Sequence, residues 1–146
     1  MPVYYFVVAV VVGVGVGLWR KSWRVGMLVG YMIVLFSSMV LNRPTSQNAK
    51  TWLYLFDSYT NRPIGETLSN IISFIPIGIL AGRKWKGILV GVGFSFFIEI
   101  TQLLFHKGFF EPDDILNNTI GTAIGCIITK TIIHFCEKES FNPKQE

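Results

Sequence analysis

Long apolar runs alternate with short polar or basic segments along this chain. The five apolar runs cover residues 3–19, 25–41, 67–82, 88–105 and 115–135. A transmembrane helix needs roughly 17–25 mostly apolar residues, and in lipid the backbone polar groups must be satisfied within the helix itself. The pattern therefore predicts an all-α fold, a polytopic membrane helix bundle of about five transmembrane helices. Because the third run is the shortest, a four-span protein with a re-entrant third segment is the alternative.

The polar segments divide the chain into regions. We predict two N-terminal transmembrane helices in 1–41, an external loop in 42–66, a three-helix core in 67–135 and a cytoplasmic tail in 136–146. The external loop contains an aromatic segment, 52–59, that is too short to span. Its Trp and Tyr residues are typical of the membrane interface, and a strand-like hairpin is the alternative. Pro76 should kink the third helix and free a carbonyl for a neighbouring helix.

Lysine and arginine are distributed unevenly between the two sets of loops. With the N-terminus outside, the cytoplasmic side carries nine of them: Arg20, Lys21, Arg24, Arg83, Lys84, Lys86, Lys130, Lys138 and Lys144. The external side then carries four: Arg43, Lys50, Arg62 and Lys107. Because cytoplasmic loops are enriched in these residues, we predict an external N-terminus and a cytoplasmic C-terminus. The loops 42–66 and 106–114 then face the exterior.

Glycines recur four residues apart in, or directly beside, every apolar run. The pairs are Gly13/Gly17, Gly26/Gly30, Gly78/Gly82, Gly87/Gly91 and Gly121/Gly125. This spacing lets helix backbones approach closely in lipid, where packing is the main force between helices. Repeated in five helices, it predicts a tight bundle.

Composition agrees with this class of protein and excludes several others. The chain has 146 residues, of which 51% are hydrophobic and 15% charged, as expected for one membrane domain. The net charge of +4 lies beside the apolar runs, so it indicates topology and not a nucleic-acid partner. Cys126 and Cys136 are about 15 Å apart on one predicted helix, too far for a disulfide. The sequence has no zinc-ligand spacing and no phosphate-binding loop, and we expect no cofactor.

Polar residues concentrate near one end of the last three helices. Counting about 1.5 Å per residue from the external loops, Asn70, Gln102 and Asn118 lie about 6 Å deep and Glu99 about 10 Å deep. Ser95, Glu99 and Gln102 follow i, i+4, i+7 spacing, which places them on one helical face. On the fifth helix Asp114, Asn118, Gly121 and Gly125 also share a face. We infer a polar pocket between helices three, four and five, open to the exterior.

Glu99 is the strongest functional candidate in this pocket. A carboxylate at that depth is costly, so it is expected to be protonated or paired, and such residues are functional by default. Asp114 is either an N-cap of the fifth helix or a functional group beside Asp113 at the pocket mouth. Interhelical hydrogen bonding alone is the alternative role for Asn70, Gln102 and Asn118.

Four residues near the same mouth have side chains that can bind a metal ion: His106, Glu111, Asp113 and Asp114. Their side chains are suitable ligand types, but their spacing matches no known metal-binding pattern. We therefore assign no metal ligand.

Three motifs occur in fixed order in the second half of the chain. They are Asn70-Ile-Ile-Ser-Phe-Ile-Pro-Ile-Gly78, Ser95-Phe-Phe-Ile-Glu-Ile-Thr-Gln102 and Asp113-Asp-Ile-Leu-Asn-Asn-Thr-Ile-Gly121. In this order they resemble the VanZ-like family of membrane proteins over residues 66–128. Two external segments depart from the family pattern: Leu41-Asn42-Arg43-Pro44 and Lys107-Gly108-Phe109-Phe110. Both departures lie on the side where a ligand would enter, which leaves the ligand open.

The resemblance implies a multi-pass protein of the bacterial cytoplasmic membrane. The family namesake is associated with low-level resistance to teicoplanin, a glycopeptide that acts outside the membrane. We expect the pocket residues Asn70, Ser95, Glu99, Gln102, Asp113, Asp114 and Asn118 to bind an envelope component, such as a lipid-linked cell-wall precursor, or a glycopeptide. Membrane lipids are the other expected partners.

Three alternatives to this binding function remain open at the sequence level. The first is an intramembrane enzyme acting on a lipid-linked precursor, with Glu99 and Asp114 as its acid and base. The second is a proton-coupled carrier, which is disfavoured because the inner halves of helices four and five offer mainly Gly, Ser and Thr. The third is a structural accessory protein. The sequence does not decide whether any reaction is catalysed.

Overall fold

The computed structural model describes residues 2–45, 51, 56–60, 63–82 and 85–141, which form a helical bundle. The five long helices are α1 (Val3–Trp19), α2 (Trp23–Leu41), α3 (Ile64–Ala81), α4 (Trp85–Leu104) and α5 (Pro112–Phe141). A four-residue helix, Asp57–Thr60, precedes α3. No strand occurs among these residues, apart from one isolated bridge between Thr51 and Phe110. The all-α prediction is confirmed.

Helices α2 to α5 are each long and apolar enough to cross a membrane, and α1 is a shorter apolar helix of 17 residues. Helix α3 runs without interruption for 18 residues, so its length suits a full span better than a re-entrant segment. Half of the interfacial segment predicted over 52–59, residues 52–55, lies outside the described residues.

Helices α3, α4 and α5 each begin three residues before the corresponding apolar run, and α5 continues to Phe141. These extra turns contain polar residues that a search for apolar runs leaves out. At the start of α5, Pro112 fits the first helical position and Asp113 and Asp114 complement the helix dipole. Helix formation therefore extends beyond the apolar run at both ends of α5.

Glycines bring the helix backbones into direct contact. Helix α1 packs on α2, where Gly13 and Gly17 face Gly26. The most extensive contact joins α3 and α5, and a Cβ added at Gly121 would collide with the carbonyl oxygen of Ile71. These contacts confirm the close approach that the glycine spacing predicts.

The Gly78/Gly82 pair is the exception to this glycine packing. Gly78 packs on Thr122 and Gly125 of α5, but Gly82 ends α3 with a φ of 102°, a conformation that favours glycine. Near this end the carbonyl of Ile79 accepts hydrogen bonds from Arg24 Nη2 at 2.9 Å and Thr129 Oγ1 at 3.2 Å. Neighbouring helices thus satisfy a carbonyl that has no partner within α3.

Pro76 does not interrupt α3, which stays helical from Ile64 to Ala81. One turn away, the carbonyl of Ser73 accepts a hydrogen bond from the Tyr31 hydroxyl of α2 at 2.8 Å. The apolar core lies where α2, α3 and α4 meet, and its fully buried members include Val40, Phe74 and Ile98. This core supports the polar residues of α4 and α5.

Candidate functional site

Six polar side chains of α4 and α5 are buried together and form what we call the polar cluster. Its members are Ser95, Glu99, Gln102, Asp113, Asn117 and Asn118, each no more than 2% exposed. Buried polar groups in lipid need partners, and four other parts of the chain supply them. These are the end of α2, the loop before α5, the short helix Asp57–Thr60 and the residue that precedes that helix.

Glu99 is 1% exposed and is held by the loop between α4 and α5. Its Oε2 accepts a hydrogen bond from the backbone N–H of Glu111 at 2.9 Å. The loop returns to Glu99 because α4 ends in a Schellman turn: His106 has a φ of 55°, and Lys107 N–H bonds Gln102 O at 2.7 Å. Charges on Asp114, Glu111 and Arg43 also act on the Glu99 carboxyl.

Ser95 and Asn118 join α4 to α5. Asn118 Nδ2 donates to Ser95 Oγ at 2.8 Å, and both side chains are buried. One turn deeper, Thr122 packs directly against Gly91 of α4, where any larger residue would collide with it. The small residues therefore set the helix separation at which the Ser95–Asn118 bond forms.

Gln102 connects α4 to a π-helical turn at the end of α2, Ser37–Leu41. In an α-helix, Arg43 N–H would donate to Met39 O, but here it donates to Val40 O at 3.3 Å. Met39 O instead accepts Gln102 Nε2 at 3.0 Å. Met39 lies among the last four residues of α2, whose carbonyls have no partner within the helix, so this carbonyl is available to the cluster. π-Turns occur frequently at functional sites.

Asp113 and Asn117, one turn apart on α5, hold residues 56–60. Asp113 Oδ1 accepts the Phe56 N–H at 2.8 Å, and Asn117 Oδ1 accepts a hydrogen bond from the Tyr59 hydroxyl. Burial, and secondarily the charge of Asp113, raise the pKa of Tyr59 above its ordinary value. The segment 56–60 therefore covers one side of the cluster.

Arg43 follows the π-turn and reaches the loop on the other side. A Cβ added at Gly108 would lie 3.1 Å from Arg43 Nη1 and 3.4 Å from Gln102 Oε1. The guanidinium and the Gln102 oxygen are therefore neighbours across Gly108. Lys107 Nζ donates to the Arg43 carbonyl at 2.9 Å, which ties this segment to the same loop.

Three buried polar atoms have no hydrogen-bond partner in the described part of the chain. They are Gln102 Oε1, Asn117 Nδ2 and Asn118 Oδ1. Leaving such an atom unpaired costs about 1–3 kcal/mol, so a native structure needs a reason for each. For Gln102 the assignment is fixed, because Met39 O can only accept and the amide nitrogen must face it. The cluster thus holds a free acceptor beside Glu99.

The structure brings together six of the seven predicted site residues: Ser95, Glu99, Gln102, Asp113, Asp114 and Asn118. The seventh, Asn70, lies on α3 and is only half-buried, unlike the fully buried polar residues of α4 and α5. Asp114 is the third residue of α5, because the helix starts earlier, at Pro112, so the N-cap alternative for Asp114 is wrong. In the first turn of α5, the negative charge of Asp114 still interacts favourably with the helix dipole.

Sequence reasoning missed Asn117, Tyr59 and Arg43 as site residues. The i, i+4 spacing of Asp113 and Asn117 places both on one face of α5, so Asn117 could have been predicted. Tyr59 could not, because it contacts a residue 58 positions away in the sequence. His106 is exposed, and within the described ranges no group of three or more His, Cys, Asp or Glu is arranged to hold a metal ion.

The spacing of polar residues on the helices predicts a pocket open to the exterior, but the structure buries the polar cluster. Residues 56–60 and the Glu111 backbone contact its polar atoms directly. A groove with a volume of about 1070 Å³ lies away from the cluster, between α1, α2 and α3.

A family model described as VanZ/LLP1 matches residues 22–134, which is most of the chain and includes α2 to α4 and most of α5. No curated protein matches the chain, and no solved structure does.

Proposed function

The chain belongs to the VanZ-like family, and on that premise we propose that its polar cluster binds an envelope component or a glycopeptide at the external face of the bacterial cytoplasmic membrane. Glu99 is the charged anchor, and Gln102 and Asn118 orient the ligand through hydrogen bonds. Asp113 and Asp114 stand at the entrance.

The observation that carries the proposal is the buried, incompletely paired state of these groups. Glu99 is 1% exposed within a helix long enough to span the membrane, and Gln102 Oε1 and Asn118 Oδ1 lack partners among the described residues. Groups that serve only to join helices would be expected to pair fully, because an unpaired buried atom lowers stability. Free acceptors beside a carboxyl group suit a ligand that donates hydrogen bonds.

The entry route follows from what covers the cluster. Segment 56–60 contacts the cluster through the Phe56 N–H, bonded to Asp113, and the Tyr59 hydroxyl, bonded to Asn117. Displacing it exposes Asp113 and Asn117 first and the rest of the cluster after them. If the α2–α3 and α4–α5 connections face outward, as the Lys and Arg distribution predicts, this route opens to the envelope.

The experiment measures teicoplanin susceptibility of cells that express wild type, Glu99→Gln, or Asp114→Asn combined with Asn118→Ala, at matched membrane abundance. We expect wild type to shift susceptibility and both variants to lose the shift, because each removes groups that the ligand requires. Glu66→Gln is the matched control, since Glu66 is exposed in the first turn of α3 and lies outside the cluster.

Variants that behave as wild type would show that the polar cluster only joins helices. A wild-type chain without effect would rule out teicoplanin resistance for this protein. Retained folding is checked by thermal unfolding of each purified variant.

A further inference from the structure

A groove with a volume of about 1070 Å³ runs between α1, α2 and α3. We call it the α1–α3 groove. Its walls are apolar side chains and glycines, including Phe6, Val10, Val14, Pro76 and Leu80, and its lining contains no Asp or Glu. It shares no residue with the polar cluster, so it is independent of the function proposed above.

The groove exists because α1 and α3 both pack on α2 but leave space between them. The α1–α2 contact uses Gly13 and Gly26, whose missing side chains let the two backbones touch. Helix α3 approaches α2 separately, as the Tyr31 hydrogen bond to the Ser73 carbonyl shows. Since the groove is apolar and its helices belong to a membrane bundle, lipid chains and not water are its natural contents.

One end of the groove is basic. Lys21 and Ser22, in the turn between α1 and α2, line that end. Lys21 is exposed and has a φ of 50°, within a Schellman turn closed by the bond from Ser22 N–H to Gly17 O at 2.9 Å. Arg24 lies close by and donates to Ile79 O, at a residue that also lines the groove. The α1–α3 groove is therefore apolar along its length and positively charged at one end. The positive charge complements an anionic lipid headgroup.

The length of the groove fits one membrane leaflet. From Phe6 to Leu18 along α1 it extends about 18 Å at 1.5 Å per residue. Half of a ~30 Å hydrocarbon core is about 15 Å, the depth that the acyl chains of one leaflet occupy. We propose that the α1–α3 groove binds the acyl chains of one anionic phospholipid, with its headgroup phosphate at Lys21.

The test uses the full-length protein reconstituted in vesicles of equal parts phosphatidylglycerol and phosphatidylcholine, then released in mild detergent for native mass spectrometry. We expect one retained phosphatidylglycerol per chain in preference to phosphatidylcholine. Lys21→Asn should lower this preference about fivefold, since one basic residue near an anionic surface contributes about 1 kcal/mol. Asparagine is chosen because it tolerates the left-handed backbone at this position.

Val14→Trp should cause loss of the retained lipid by filling the groove. Val11→Trp is its matched control, because Val11 is exposed on α1 but does not line the groove. Lys130→Asn, at an exposed lysine of α5, is the control for charge. Equal retention of the two lipids, no retained lipid, or a second copy of the chain in its place would overturn the proposal. So would unchanged retention in both Val14→Trp and Lys21→Asn.

Discussion

Gln102 shows how single residues hold the cluster together. Its amide nitrogen is committed to Met39 O, and the Gln102 backbone carbonyl accepts Lys107 N–H. One residue thereby fixes the end of α2, the end of α4 and the loop that leads to Glu99. Because its amide oxygen has no partner among the described residues, Gln102 is well suited to receive a hydrogen bond from a ligand.

At the same scale, raising the pH should release the contact between Tyr59 and Asn117. Burial and Asp113 raise the Tyr59 pKa above 10, so the folded protein favours the neutral phenol. The stabilisation from this contact is complete below about pH 10 and is lost as the pH rises through the raised folded-state pKa. Subtracting the phenolate absorbance titration of Tyr59→Phe from that of wild type isolates this group, and we expect its midpoint above 10.

A midpoint at or below 10 would mean that Tyr59 is not held against Asn117. The same titration in Asn117→Ala tests whether Asn117 contributes to the raised pKa of Tyr59. It should move the midpoint downward by exposing the phenol, while the charge of Asp113 remains.

The sequence predicts which cluster residues lie together when they are on one helix and helical spacing alone brings them to the same face. Ser95, Glu99 and Gln102 share a face of α4 whatever surrounds them, so their proximity could be predicted. Met39 contributes only a backbone carbonyl, which has no side-chain signature. Tyr59 reaches Asn117 through a loop, and loop geometry is not encoded by hydrophobic periodicity.

At the scale of elements, the α3–α5 contact should be the least tolerant of added volume. Gly121→Ala places a Cβ against the Ile71 carbonyl, so the helices must separate or the backbone must bend. We expect a loss of about 1–3 kcal/mol, as for other overpacked sites. Unfolding of the purified protein in detergent, by heat or by added denaturing detergent, measures it.

Gly93→Ala is the matched control within α4, because a Cβ there has nothing within 4 Å. It should be neutral or stabilising by up to about 1 kcal/mol, since alanine favours the helix over glycine. Equal stability of Gly121→Ala and Gly93→Ala would contradict the close α3–α5 approach.

The helices themselves could be predicted because each spans an apolar run, but the π-turn could not. Residues 37–41 read Ser-Ser-Met-Val-Leu, which suits an α-helix as well as a wider turn. The turn ends α2, and Gln102 bonds the Met39 carbonyl, one of the last four of the helix, which have no partner within it. Local sequence carries no record of a partner 63 residues away.

At the scale of the whole molecule, cysteine labelling can measure the orientation of the two termini. The Lys and Arg count predicts a cytoplasmic C-terminus, and two free cysteines provide a probe: Cys136 is exposed and Cys126 is buried. A membrane-impermeant maleimide should label Cys136 only after the membrane is permeabilised. Thr45→Cys, at an exposed position after α2, should be labelled in intact cells.

Labelling of Cys136 in intact cells, with Thr45→Cys protected, would reverse the orientation and place the cluster at the cytoplasmic face. The bundle architecture would be unaffected by that result. Hydrophobic runs predict the number and order of helices, whereas whether a polar region is open or covered depends on segments such as 56–60, which no periodic pattern predicts.

The hydrogen-bond partners of Glu99 and Ser95 on α4 are made after α4 itself, and this has a consequence for biosynthesis. Glu99 is bonded by Glu111, 12 residues later, and Ser95 by Asn118, 23 residues later. At about 5–20 residues per second, α4 is complete for on the order of seconds before these groups are made. Entering lipid alone in that interval would leave a carboxyl group unpaired in the bilayer. Helix α4 is therefore expected to wait in the translocon and enter the membrane together with α5, as one hairpin.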